Sequence, residues 1–107
     1  MEQATTPRLE KLRTMLERTP QDTFLLYGIA LEYKKIGDAK QAIEYLDKVV
    51  AVDPAYCYAY HQRGLVHESL GDMESAKRAY RAGIEAATKA GDAHARGEIE
   101  GALQMIE

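Results

Sequence analysis

The strongest constraint on the fold of this chain is an internal repeat. The Gly-Asp pair at position 37 recurs at position 71, a spacing of 34 residues. The same shift superposes small residues on small ones and bulky residues on bulky ones: Ala42 on Ala76, Ala30 on Gly64, Leu31 on Leu65 and Phe24 on Tyr58. A fixed period of this length is typical of repeat proteins, in which each unit buries its apolar face against its neighbours.

Each unit is predicted to contain two helices joined at its Gly-Asp pair. Gly37 can adopt the positive φ that ends a helix, and Asp38 can cap the next one together with Gln41. Pro54 ends the second helix of the first unit. Apolar residues at helical spacing precede and follow the pair: Leu26, Ile29, Ala30 and Tyr33, then Ala42, Ile43, Leu46, Val49 and Val50.

The rest of the chain is predicted to close this array at both ends. Residues 7–20 form a half repeat, 22–54 the first repeat, 56–89 the second, and 92–106 a C-terminal capping helix with a polar outer side. A third Gly-Asp pair at Gly91 starts the capping helix, because the second repeat has Thr88 where proline would end it. We therefore expect one domain, 1–107, with helices at about 7–19, 22–36, 39–52, 56–70, 73–89 and 92–106.

The period, the helix pair and the order of landmark residues resemble the tetratricopeptide repeat (TPR) family, and in size a small bacterial-type member. The first unit supplies Leu26, Ile29, Ala30, Tyr33, Ala42, Leu46 and Pro54, and the second supplies Tyr60, Gly64, Ala76 and Tyr80. Arg63 and His67 depart from the family at positions that are usually apolar. The resemblance implies an all-α fold of antiparallel helix-turn-helix repeats in a short right-handed α-solenoid.

Small residues at matching positions of the two units are expected to bring paired helices close together. Ala30 lies opposite Ala42 in this interpretation, and Gly64 lies opposite Ala76. The core face of the second inner helix is predicted to consist of Tyr60, Gly64 and His67.

Composition excludes several classes of function. The 107 residues carry a net charge of −3, which argues against a nucleic-acid partner. No apolar run is long enough to span a membrane, and the N-terminal stretch lacks the basic and apolar regions of a signal peptide. Cys57 is the only cysteine, which fits a reducing compartment, so we expect a cytoplasmic protein.

No catalytic constellation is evident, and neither an enzyme nor a cofactor is predicted. Cys57 and His61 share a helix face and suggest a remote alternative, a small metal or redox protein. Because the sequence places no third ligand near them, no metal site is assigned.

The resemblance implies that the first helix of each unit lines a concave groove that binds a partner protein or peptide. The residues left on that face form two parallel rows, and we predict that they contact the partner: Phe24, Tyr27, Leu31, Lys34, Tyr58, His61, Gln62 and Leu65. The predicted function is a non-catalytic adaptor or scaffold module. The alternative is a homo-oligomer, such as a homodimer, that pairs through the same apolar face.

One type of family member holds the terminal carboxylate of a peptide with lysine, asparagine and arginine side chains in the groove. The corresponding positions here are Tyr27, Leu31 and Gln62, with Arg96 of the capping helix as a possible addition. The resemblance therefore predicts an apolar or aromatic peptide anchor instead of a carboxylate clamp.

Overall fold

Six α-helices joined by short turns make up the fold in a computed structural model that describes residues 5–107. Residues 1–4, the start of the N-terminal stretch considered above, lie outside the described part. Every helix begins and ends within two residues of its predicted bounds. The helices are α1 (Pro7–Arg18), α2 (Thr23–Lys35), α3 (Ala39–Val52), α4 (Cys57–Ser69), α5 (Met73–Ala90) and α6 (Ala93–Gln104).

The helices pack in chain order, each against the next, and α6 also touches α4. The result is an elongated body with principal extents of 37 × 29 × 18 Å. No strand occurs within residues 5–107, so the fold is the short all-α solenoid that the repeat predicts. None of the helices in this range is both long and apolar enough to cross a membrane.

The three Gly-Asp pairs end one helix and cap the next, as predicted. The glycines have φ angles of 83°, 76° and 70° at Gly37, Gly71 and Gly91, the left-handed region in which a Cβ is strained. Each following aspartate accepts a hydrogen bond from the backbone amide three residues on, at 3.0–3.1 Å. The third pair joins α5 to α6, so it starts the closing helix as expected.

Replacement of Gly37 by alanine is therefore expected to lower the free energy of unfolding by about 1 kcal/mol. Gly97 is the matched control, because it lies inside α6 with no atom within 4 Å of a Cβ built on it. Gly97→Ala should instead raise stability by up to about 1 kcal/mol through helix propensity. Urea unfolding followed by circular dichroism measures both changes, and equal effects of the two substitutions would contradict the assigned turn geometry.

The absence of proline after the second repeat lengthens its outer helix, as predicted. The helix α5 has 18 residues, whereas α3 has 14 and ends just before Asp53 and Pro54. The extra turn of α5 includes Thr88, and its exposed end leads to the Gly91 turn.

The predicted core face of α2 is confirmed, since Leu26, Ile29, Ala30 and Tyr33 are all buried. The predicted core face of α4 is partly wrong. Gly64 is buried, but Tyr60 and His67 are half-exposed, and the buried apolar side chains are instead those of Cys57, Ala59 and Val66.

The two units differ at this face because of the outer helix that covers it. In the first unit the ring of Tyr33 stacks on Tyr45 at a centroid distance of 5.7 Å. The residue 34 positions after Tyr45 is Ala79, which is too small to cover His67 in the same way.

Tyr80 of α5 lies against Gly64. A Cβ built on Gly64 would lie well inside contact distance of the Tyr80 ring, which supplies the three atoms nearest to it. The small residue therefore makes room for a tyrosine of α5.

Candidate functional site

We call the eight residues of α2 and α4 that are predicted to contact a partner the α2–α4 surface. Two contacts fix the helices relative to each other. Lys34 Nζ donates a hydrogen bond to Gln62 Oε1 at 2.7 Å. The ring of Tyr27 packs against that of Tyr56, with centroids 5.1 Å apart. Three residues of this surface, Tyr27, Lys34 and Gln62, are therefore held by contacts between α2 and either α4 or the turn before it.

None of the eight residues is fully buried, so the α2–α4 surface is open to solvent. Six are half-buried, and the other two, Lys34 and Phe24, are exposed. The half-buried residues are Tyr27, Leu31, Tyr58, His61, Gln62 and Leu65. Four of these six, Tyr27, Leu31, Tyr58 and Leu65, are apolar or carry a phenol ring. Their exposed parts can contact a partner while the protein stays folded.

The closing helix α6 flanks only one end of this surface. Tyr58 packs against the core cluster that contains Ile99 and Leu103 of α6. The carboxylate of Glu98 lies close enough to Tyr58 and His61 to affect their pKa values. The capping helix therefore borders the α4 row and adds an acidic group there.

Phe24 is separated from the centre of the surface and lies at its N-terminal edge. It is 74% exposed, more than any other apolar residue of the α2–α4 surface. It borders a recess of about 540 Å³ that α1 and the start of α2 share, lined by Thr14, Met15, Arg18, Thr19, Asp22, Phe24 and Leu25. Phe24, one of the predicted contact residues, therefore also lines a recess next to the α2–α4 surface.

His61 connects the α2–α4 surface to the core. Its ring meets Tyr80 edge-on at 5.9 Å, and the Tyr80 hydroxyl donates a hydrogen bond to Glu68. Burial lowers the pKa of His61 below its usual value, and the nearby Lys34 lowers this pKa further, while Glu98 and Glu68 oppose the shift. The shift favours the neutral imidazole, which can both accept and donate a hydrogen bond.

Cys57 is a buried structural residue at the start of α4. Its thiol donates to the carbonyl of Ala55 at 3.5 Å, and burial raises the pKa of the thiol. A raised pKa disfavours the thiolate that metal binding and redox chemistry require. Within residues 5–107, no three His, Cys, Asp or Glu side chains are grouped closely enough to hold a metal ion.

The clamp positions carry no free cation. Tyr27, Leu31 and Gln62 are uncharged, and the Lys34 ammonium nearby is bonded to Gln62. Arg96 lies instead beside the Gly91 turn, where its guanidinium is 3.4 Å from Glu100. A terminal carboxylate would find no unpaired arginine among these side chains.

Two residues near this surface were not among the predicted contacts. Tyr56 contacts Tyr27 from the turn before α4, at the start of the alternating tyrosines Tyr56, Tyr58 and Tyr60. Glu98 reaches the surface from α6, and no sequence signal could have placed it. The capping helix lies outside the 34-residue repeat, so its rotation is not fixed by the alignment of units.

A family model described as tetratricopeptide repeat matches residues 25–56 and 58–89, more than half of the chain. The chain belongs to the tetratricopeptide repeat family. Over 99 residues it is 29% identical to a TPR repeat-containing protein of Pseudomonas aeruginosa, covering 92% of this chain and 94% of that relative. The resemblance inferred from the sequence is thereby confirmed.

Two solved structures show the same fold at low sequence identity. PcrH, solved in complex with the chaperone binding region of PopD, has a TM-score of 0.85 and is 13% identical, covering 92% of this chain and 74% of that one. The first TPR of Spaghetti (RPAP3), bound to the HSP90 peptide SRMEEVD, has a TM-score of 0.76 and is 20% identical. That match covers 92% of this chain and 73% of the other.

Proposed function

We propose that this TPR protein is a non-catalytic interaction module that binds a peptide or helix of a partner protein on the α2–α4 surface. The observation that carries the proposal is the group of half-exposed apolar and aromatic side chains at Tyr27, Leu31, Tyr58 and Leu65. Such side chains supply large contact areas in protein interfaces. Both fold neighbours described above were solved with a bound peptide or protein segment, which supports a binding role for this fold.

The chemistry of the surface favours an apolar anchor on the partner. Lys34 donates a hydrogen bond to Gln62 across the two helices, and burial lowers the pKa of His61. The charged group nearest to Tyr58 and His61 from α6 is the Glu98 carboxylate, which is 2.6 Å from His94. The preferred ligand is therefore a segment with aliphatic or aromatic residues at helical or alternating spacing, without a required terminal carboxylate.

Selection of random peptides displayed on phage tests this proposal with the intact protein. We expect enriched peptides to carry apolar anchors and to lose at least about tenfold in affinity when Tyr27→Ala and Leu65→Ala are combined. Leu70→Ala is the matched control, because Leu70 is 58% exposed at the end of α4 and lies outside the surface. Equal affinity of the double variant and the wild type for every selected peptide would overturn the proposal.

Self-association through the same surface is the competing proposal, and the exposed Phe24 at its edge favours it. Light scattering at tens of micromolar protein separates the two. A mass of 12.0 kDa identifies a monomer whose surface is free for a partner, whereas twice that mass supports the homodimer. The cytoplasmic location and the role as an adaptor remain part of the proposal.

A further inference from the structure

The face of α4 that points between α3 and α5 borders a polar cavity. In the first repeat this place is filled by the stacked rings of Tyr33 and Tyr45, with Ile29 completely buried beside them. The residues 34 positions on are smaller or charged, and they leave a cavity of about 180 Å³. The cavity is lined by Tyr60, Arg63, His67, Ser75, Arg78, Ala79 and Ala82.

The polar side chains that line this cavity include two arginines, a histidine and a serine. Arg78 Nη2 donates to Ser75 Oγ at 2.9 Å, and within residues 5–107 this guanidinium forms no ion pair. Arg63 contributes a second guanidinium, whose Nη1 lies 2.8 Å from Asp47 Oδ1 at the rim. Two arginines therefore border the cavity, and only one of them is neutralised by a carboxylate.

His67 has a polar atom at this cavity that is without a hydrogen-bond partner in residues 5–107. Its Nδ1 atom is buried and has no hydrogen-bond partner in the described part of the chain. Burial lowers the pKa of His67, and both Arg63 and Arg78 lower it further, while Asp72 and Asp47 act in the opposite direction. The side chain of Asp72 already accepts a hydrogen bond from the backbone amide of Ser75, so it caps α5. Arg63 and Arg78 are therefore both close enough to His67 to act on a group bound beside it.

We propose that this cavity binds a small tetrahedral oxyanion of the phosphate class. The Arg78 guanidinium can donate two parallel hydrogen bonds to such an anion, and the His67 ring can add a further donor through Nδ1. The Ser75 hydroxyl is already hydrogen-bonded to Asp72 and accepts from Arg78, so it orients that guanidinium and does not bind the anion itself. A water molecule occupies about 30 Å³ in the liquid, so about 180 Å³ accommodates a phosphate group but not a nucleotide. Tyr60, Arg63 and His67 lie about 200° around α4 from Tyr58, His61 and Leu65, so the anion site is separate from the α2–α4 surface.

Amide chemical shifts of the ¹⁵N-labelled protein, titrated with sodium phosphate at constant ionic strength, test the proposal. We expect saturable shifts between Ser75 and Ala82, and a loss of affinity of at least about tenfold in Arg78→Gln, which removes a charge-assisted hydrogen bond. Arg81→Gln is the matched control, because Arg81 lies three residues along α5 and reaches Glu107 instead of the cavity. A linear response to phosphate, or equal affinities of the two variants, would overturn the site.

A second variant tests the cavity by filling it. Ala79→Tyr restores the residue of the first repeat and is expected to abolish the saturable shifts while the spectrum remains that of a folded protein. Undiminished phosphate binding by a folded Ala79→Tyr protein would also overturn the site. Titration with O-phospho-L-serine separates two sources of the anion. Tighter binding than inorganic phosphate indicates a phosphorylated side chain, and weaker binding indicates the free anion.

Discussion

Replacing Tyr80 with alanine is expected to lower the free energy of unfolding by about 3–5 kcal/mol, the largest effect we predict for a single substitution. Tyr80 is the largest of the fully buried side chains, and it belongs to the core cluster that joins α4, α5 and α6. Removing its ring leaves a cavity next to Gly64 and also removes the edge-on contact with His61. A domain of this size is stable by about 5–15 kcal/mol, so a large part of its stability depends on this ring.

Urea unfolding followed by far-ultraviolet circular dichroism measures this loss, with Tyr80→Phe as the matched variant. Phenylalanine keeps the ring and removes only the hydrogen bond to Glu68, so we expect a loss of about 1–3 kcal/mol. A loss below about 1 kcal/mol for Tyr80→Ala would contradict the assignment of Tyr80 to the core.

The Tyr80 hydroxyl is also expected to make the free energy of unfolding depend on pH in the alkaline range. Burial and the neighbouring Glu68 raise the pKa of Tyr80 in the folded protein above the ordinary value of 10.0. The unfolded chain therefore releases the tyrosine proton first, and stability falls as pH rises above about 10. Wild type should lose stability over this range more steeply than Tyr80→Phe, which has no proton to release at this position.

Replacing Gly64 with alanine is expected to lower the free energy of unfolding by about 1–3 kcal/mol, although alanine is the better helix former. The added Cβ would overlap the Tyr80 ring, which is completely buried. Gly28→Ala is the matched control in α2, because its Cβ would meet Leu12 at an ordinary 3.5 Å. That substitution should stabilise the protein by up to about 1 kcal/mol.

Combining the two core changes tests whether they act on one contact. In the Tyr80→Ala background the obstacle to a Cβ at Gly64 is gone, so Gly64→Ala should become neutral or stabilising. Additive losses in the double variant would show that the overlap with Tyr80 is not what requires glycine at this position.

Much of the fold could be predicted from the sequence because the same helix-end signals occur in both repeats. The spacing of Gly37 and Gly71, the capping aspartates and Pro54 set the ends of the helices, and these signals are local. The orientation of α4 was less predictable. Its burial depends on the partner helix, and the change from Tyr45 to Ala79 uncovers one face of α4 without altering the helical pattern.

The candidate site could be predicted only in outline. The rows on α2 and α4 follow from the repeat, and the structure leaves them open to solvent. The position of Phe24 beside α1 depends on the half repeat, which has no counterpart to align with. The Glu98 carboxylate depends on the rotation of α6. The polar cavity depends on Arg63, His67 and Ala79 lining one space, which the sequence does not show.

Mapping of a selected peptide onto the ¹⁵N-labelled protein by amide chemical shifts is the most direct test of the central claim, that this protein binds a partner on the α2–α4 surface. The proposal predicts that the largest shifts occur in α2 and α4 around Tyr27, Leu31, His61 and Leu65, and that they disappear in the Tyr27→Ala, Leu65→Ala double variant. Shifts confined to the recess beside Met15, or to the outer helices α3 and α5, would contradict it.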